Sequence, residues 1–223
     1  MSVAGSSNYG TIRINFFEPI LNSVIISGGA VIVSLIIGIP AGYILARSSF
    51  KFKEDIGFFI LGFRFAPLIL VIIPMFYLFT ILGIKDTYFG MIWVYQVITL
   101  PMIIWLTRVY VEDIPIELEE AAFVEGASVL LVISKIILPL LRPGLVGASL
   151  LVFLIAWHNF ALGLLLASKK APVTVALLKL LNPGINFYPV MACGLVISMI
   201  VPILLIFLGQ KHFVKGLTFG AVK

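Results

Sequence analysis

Long apolar stretches separated by short polar ones run through this chain, and within the apolar stretches there is no alternation with polar residues. A helix crossing a bilayer takes roughly 20 mostly apolar residues, whereas a barrel strand takes about 9–11 alternating ones, so the pattern predicts helices and excludes a barrel. Five spans are predicted, at 20–46, 56–82, 88–111, 144–167 and 189–208. The second contains Arg64, Pro67 and Pro74, so a short helix is expected ahead of the true crossing. Outside the spans lie a polar N-terminal segment at 1–19, an unusually long polar connection at 112–143 and a tail at 209–223.

Composition removes the soluble alternative. Of 223 residues, 61% are hydrophobic and only 11% charged, with a mean hydropathy of +1.19. Soluble domains run nearer ~45–50% and ~25%. The fold class is therefore an all-α, multi-pass membrane protein. The net charge of +5 needs no nucleic acid, because membrane proteins concentrate Lys and Arg on the cytoplasmic side. With the C-terminus inside, ten cations lie on the cytoplasmic side. Five lie outside: Arg13, Lys85, Lys169, Lys170 and Lys179. This bias predicts a cytoplasmic C-terminus and an outside N-terminus.

On the first span Ser23, Ser27, Ala30, Ser34, Gly38 and Ala41 recur at spacings of three and four, forming a small-residue stripe suited to close helix packing. Pro40, Pro74, Pro101 and Pro202 fall at or within spans and predict local kinks.

The connection 112–143 holds six of the ten acidic residues. Pro115 suits a first helical turn, and Glu117 and Glu119 place negative charge at the positive end of the helix dipole. Gly126 is placed to end that helix, and Ser128 to cap a second that runs to Leu138 and stops near Pro139. On the first helix Leu118, Ala121, Ala122 and Glu125 share one face, while Glu117, Glu120 and Val124 line its neighbour. Periodicity alone fits either a solvated charged helix or a surface that a partner approaches closely.

Glu120-Ala121-Ala122, three residues, Gly126, nine residues, Ile136, one residue and Leu138-Pro139 resemble the cytoplasmic EAA loop of ABC importer permeases, in the position that family uses. Asn22-Ser23, the run Ala41-Gly42-Tyr43-Ile44-Leu45-Ala46-Arg47 and the tail 214–223 resemble the carbohydrate-uptake, maltose-type branch, and within it the second permease. The resemblance implies residence in a prokaryotic plasma membrane, two permease subunits forming the path as a heterodimer, two ATPase subunits and an extracytoplasmic solute-binding protein. ATP would bind the partner, with no cofactor in this chain. Residues 117–125 would be the coupling helix, with Glu117, Glu120, Ala121, Ala122, Glu125, Gly126, Leu138 and Pro139 as coupling residues and Glu120 as the anchor. Two departures follow. The family has a further span at the N-terminal side, so six where five are seen here, and the chain is expected to lack it. Many relatives also carry Asn then Glu between the aromatics where this chain reads Trp157-His158-Asn159-Phe160.

The residues themselves offer little chemistry. There is no P-loop sequence, so the chain is expected to be a transport subunit without its own ATPase site. His158, His212 and the single Cys193 form no ligand-spaced metal cluster. Ser149 lies nine residues from His158, about 13.5 Å of rise on one helix, too far for a catalytic hydrogen bond. An intramembrane hydrolase would need a serine from another helix. No Asp or Glu falls within the apolar runs, which disfavours an ion-coupled secondary transporter. Tyr95, Gln96, Thr99, Trp157, His158, Asn159 and Ser198 are the candidate path-lining residues. Their hydroxyls, amides and aromatic faces suit a sugar or related polyhydroxylated solute, and each also suits an interhelical hydrogen bond.

Overall fold

A computed structural model describes residues 2–7, 10–65, 67–182, 185–186 and 188–218. A short antiparallel hairpin, β1 (Ser2–Ser7) with β2 (Gly10–Asn15), precedes α1 (Phe17–Arg47). Then come α2 (Lys53–Gly62), a 3-10 turn (Phe63–Phe65), α3 (Leu68–Ile81), α4 (Tyr88–Glu112), α5 (Glu117–Val124) and α6 (Val129–Val132). A π-helical turn (Ile133–Ile137) leads into α7 (Leu138–His158), followed by α8 (Ala161–Leu166) and α9 (Val173–Leu178). A two-residue ribbon, β3 (Leu181–Asn182) with β4 (Ile185–Asn186), precedes α10 (Tyr188–Thr218). The architecture is all-α apart from these two ribbons.

Among the described residues four helical runs are long and apolar enough to cross a membrane: α1, α4, Val129–His158, and Tyr188–Gln210 of α10. A fifth crossing exists if α2 and α3 are one broken span. The predicted span 56–82 is thus interrupted. Pro67, which has no N–H to donate, stands directly before α3, whose 14 residues rise only about 21 Å.

The predicted fourth span, 144–167, is displaced at both ends. No break occurs at Pro139: the helix runs unbroken from Val129 to His158, through Pro139 and Pro143. The Leu138 N–H reaches back five residues to the Ile133 carbonyl, so the turn before Pro139 is widened and accommodates a residue that cannot donate. At the other end Asn159 Oδ1 accepts the Leu162 N–H at 3.1 Å, a cap that starts α8 instead of prolonging α7. The tail continues α10 to Thr218, and the final residues of the 214–223 resemblance lie outside the described residues.

The chain divides into two compact units. The first comprises Met1–Ala30, Ala66–Tyr95 and Phe153–Ile206. Within it Ser23, Ser27 and Ala30 of the predicted stripe are buried. The second comprises Val31–Phe65, Gln96–Val152 and Phe207–Lys223. Its core joins Tyr43 and Ala46 of α1 and Val111 of α4 to Val132, Ile133, Ile137, Leu141 and Leu145. The stripe continues here through buried Ser34 and Gly38 to Gly42, where Ala41 was expected. A Cβ on Gly42 would stand 2.7 Å from the Ile104 carbonyl oxygen, so only glycine permits this approach of α1 to α4.

Candidate functional site

The acidic connection folds around α5. Glu117, Glu119 and Glu120 occupy its first turn, where carboxylates offset the exposed amide dipoles. The helix ends in a Schellman turn: Gly126 at φ +84° lets its own N–H reach the Phe123 carbonyl and the Ala127 N–H reach that of Ala122, both at 3.0 Å. Ser128 then opens α6, its Oγ accepting the Leu131 N–H at 3.4 Å.

The eight residues of α5 present two different faces. Glu117, Glu120, Ala121 and Glu125 are exposed, and Val124 is 89% exposed. Ala122 instead packs against the core of the second unit, so the two alanines of the Glu120-Ala121-Ala122 run point to opposite environments. Glu119 is buried, with 2% of its surface exposed. Its Oε2 accepts the Tyr43 hydroxyl proton at 2.7 Å, and its Oε1 accepts Arg47 Nε–H at 2.7 Å. Arg47 Nη2 also donates to the Ile114 carbonyl, at 2.7 Å.

These contacts were not foreseen from the sequence. The available signal was the four-residue spacing of Tyr43 and Arg47, which places both on one face of α1, and the three-residue spacing of Glu119 and Ala122 on α5. Arg108 of α4, a buried cation, donates from Nη2 to Glu54 of α2 at 2.6 Å and from Nε to Glu112 at 2.8 Å. Leu138 and Pro139, with Leu35, Ile39, Arg142 and Ser149, line a largely apolar cavity of about 510 Å³.

In the first unit, side chains fix the loop that follows α8. Asp86 adopts φ +59°, which a short polar side chain tolerates, and its carboxylate accepts the N–H groups of Ser168, Lys169 and Lys170 at 2.7, 3.0 and 3.0 Å. Partial burial pushes this carboxyl up, but the three amide donors and the Lys169 charge together hold it below the usual carboxylate range. Asn22 donates to the Ala171 carbonyl at 3.2 Å and accepts from Tyr88, while Ser23 Oγ accepts the Val173 N–H at 2.8 Å.

Of the candidate path residues in this unit, Trp157, His158 and Ser198 line one cavity of about 570 Å³, with Phe160 and Thr174 beside them and aliphatic side chains making up most of the rest. Trp157 stacks on Phe153 with centroids 5.6 Å apart. His158 Nδ1 lies 2.8 Å from the Leu154 carbonyl, so that nitrogen carries a proton and donates it to the helix backbone. Tyr95 is buried and donates to the Asn159 carbonyl at 3.1 Å. In the second unit Gln96 and Thr99 are buried against Ser34, whose Oγ is 2.7 Å from Gln96 Oε1 and 2.8 Å from Thr99 Oγ1. Among the described residues no group of three or more His, Cys, Asp or Glu side chains is placed to hold a metal ion.

Known proteins share both sequence and fold with this chain. The family of binding-protein-dependent transport system inner membrane components matches residues 38–219. The trehalose/maltose transport system permease protein MalG of Thermococcus litoralis is 34% identical over 214 residues, covering 94% of this chain and 77% of that protein. The trehalose transport system permease protein SugB of Mycobacterium tuberculosis is 32% identical, covering 93% of this chain and 77% of its own. A bacterial ABC transporter involved in import of the acidic polysaccharide alginate has a chain that superposes with a TM-score of 0.72 at 26% identity, over 89% of this chain and 75% of that one. With the acidic α5 connection in its place between apolar helices, the chain belongs to the binding-protein-dependent transport system inner membrane components, the permease subunits of ABC importers.

Proposed function

We propose that this chain forms half of a translocation path for a sugar or related polyhydroxylated solute and is driven by a separate ATPase that docks on α5. The observation that carries the proposal is the division of α5 into an outward face, Glu117, Glu120, Ala121 and Val124, and an inward face fastened at Glu119. The outward face is exposed, acidic at one edge and small at Ala121, so a groove with basic residues on another protein can close on it. No P-loop occurs in the sequence, which supports an energy source on a partner subunit.

The partners are a second permease in a heterodimer, two ATPase subunits and an extracytoplasmic solute-binding protein. Relatives named for trehalose and maltose support the solute class. Trp157, His158 and Ser198 are its contacts at the 570 Å³ cavity: an aromatic face to stack on sugar C–H groups, a ring nitrogen and a hydroxyl to bond sugar hydroxyls. Tyr95 and Asn159 hold two elements of the first unit together, and Gln96 and Thr99 bond Ser34 within the second. The α5 connection and the C-terminal tail lie in the cytoplasm, as the bias of cations implies.

Co-expression with candidate ATPase subunits tests the reading. The wild-type chain should be recovered in one detergent-stable complex, and Glu120→Lys should insert normally yet lose the ATPase. Retention of the ATPase by Glu120→Lys, or its absence from the wild-type complex, would remove the basis for docking at α5.

A further inference from the structure

Eight residues are too few for a helix to hold itself together, so α5 depends on what it is tied to. Backbone continuity leaves it loose, with a turn at one end and the Gly126 turn at the other. Among the described residues Glu119 is the one acid of the 112–143 connection that the fold buries. Both of its oxygens are committed to the last turn of α1, through Tyr43 and Arg47. Arg47, the final residue of α1, reaches with its other arm to the Ile114 carbonyl just ahead of α5. Three hydrogen bonds of 2.7 Å therefore fix both the first turn of α5 and the segment entering it.

The chemistry of the contact exceeds what adhesion needs. An apolar residue in place of a buried ion pair holds two helices together equally well with less desolvation, whereas a planar guanidinium that donates to a carboxylate with one N–H and to a backbone carbonyl with another also fixes orientation. The outward glutamates of α5 take no part in it. We propose that Tyr43, Arg47 and Glu119 form the joint that makes α5 and the last turn of α1 one rigid body, so that any displacement of α5 becomes a displacement of α1. These are positioning residues: they transmit the movement of a docked partner and contribute nothing to its binding. The inference rests on the docking reading above, and adds the route by which docking reaches a spanning helix.

The test uses the assembled permease–ATPase complex in lipid nanodiscs, with Cys193→Ser removing the only native thiol. Spin labels are placed at Ile44 of α1 and at exposed Leu118, two residues from Glu120 and so on a different flank of α5, and their separation is measured without nucleotide and after trapping with ATP and vanadate. In the otherwise wild-type complex the distance distribution should be narrow and the same in both states. Glu119→Gln should still co-purify with the ATPase and still trap vanadate, but its distribution should broaden or shift by about 2 Å or more on trapping, the scale of helix shifts in switching proteins. Tyr43→Phe, which removes one hydroxyl, should show a smaller broadening, and it carries the test if Glu119→Gln fails to fold. A changing distance in the wild type, or unchanged narrow distributions in the folded variants, would overturn the joint. Loss of the ATPase by folded Glu119→Gln would also overturn it, by assigning Glu119 to docking. Failure of the wild-type chain to recover any ATPase is a separate result, seen before residue 119 is altered, and it would remove the docking reading itself.

Discussion

Arg47 closes α1 with its guanidinium 2.7 Å from the carboxylate of Glu119, a residue 72 positions later that is 98% hidden from solvent. The pair fastens α5 to α1 within the second unit, at a point where Glu119 is almost wholly hidden from water. Truncating one partner leaves the other charge buried and uncompensated. Arg47→Ala is therefore predicted to destabilise the protein by roughly 3–5 kcal/mol, read as a lowered unfolding midpoint in detergent. A change no larger than that of an exposed charge such as Glu117→Ala would show that the pair contributes little.

A tighter packing test lies five residues before the end of α1, at Gly42. Because the site of a Gly42 side chain is occupied by the Ile104 carbonyl and Thr107, Gly42→Val forces the two helices apart. Overpacking of this kind costs about 1–3 kcal/mol, so the variant should show lower folded yield and a lower melting temperature, with Gly28→Ala, which meets nothing within 4 Å, as the neutral control.

Asp86 gives the first unit a dependence on acid. Its carboxyl is held below the usual range in the folded chain, so its contribution is fully present above the unfolded value, about 3.9, and is lost as pH falls through the folded one. Wild-type and Asp86→Asn melting temperatures should differ by a constant amount above about pH 5 and converge in stronger acid. A difference that grows on acidification would contradict the amide cradle.

Orientation can be read by labelling with a membrane-impermeant maleimide in a Cys193→Ser background. A cysteine at Lys169 should react in intact cells, and one at Val124 only after permeabilisation. In the chain expressed without ATPase subunits Val124 is the suitable inner reporter, because it is 89% exposed, whereas Glu119 is buried in its ion pair. The reverse pattern would invert the topology.

What the sequence disclosed followed from how local each determinant is. Apolar run length located the long helices, because lipid imposes one requirement along the whole run. The Gly126 turn and the Ser128 cap were legible, since each depends on residues within one turn of itself. Pro139 was misread as a stop for the same reason: its local preference is to break a helix, and the π-helical turn that accommodates it depends on packing of Ile133 and Ile137 in the core. The burial of Glu119 could not be read at all, because its partners lie in another helix and its neighbours in sequence are exposed glutamates. Among candidate path residues, polar character in an apolar run marked both cavity-lining groups such as His158 and fully bonded ones such as Thr99, which only the fold separates.

The most direct test of coupling through α5 is site-specific photo-crosslinking within the assembled complex. A photoreactive amino acid at Ala121, on the exposed face, should give an adduct with the ATPase subunit on illumination, and one at the neighbouring Ala122, packed against the core, should not. Absence of an ATPase adduct from Ala121, with the complex intact, would contradict the account.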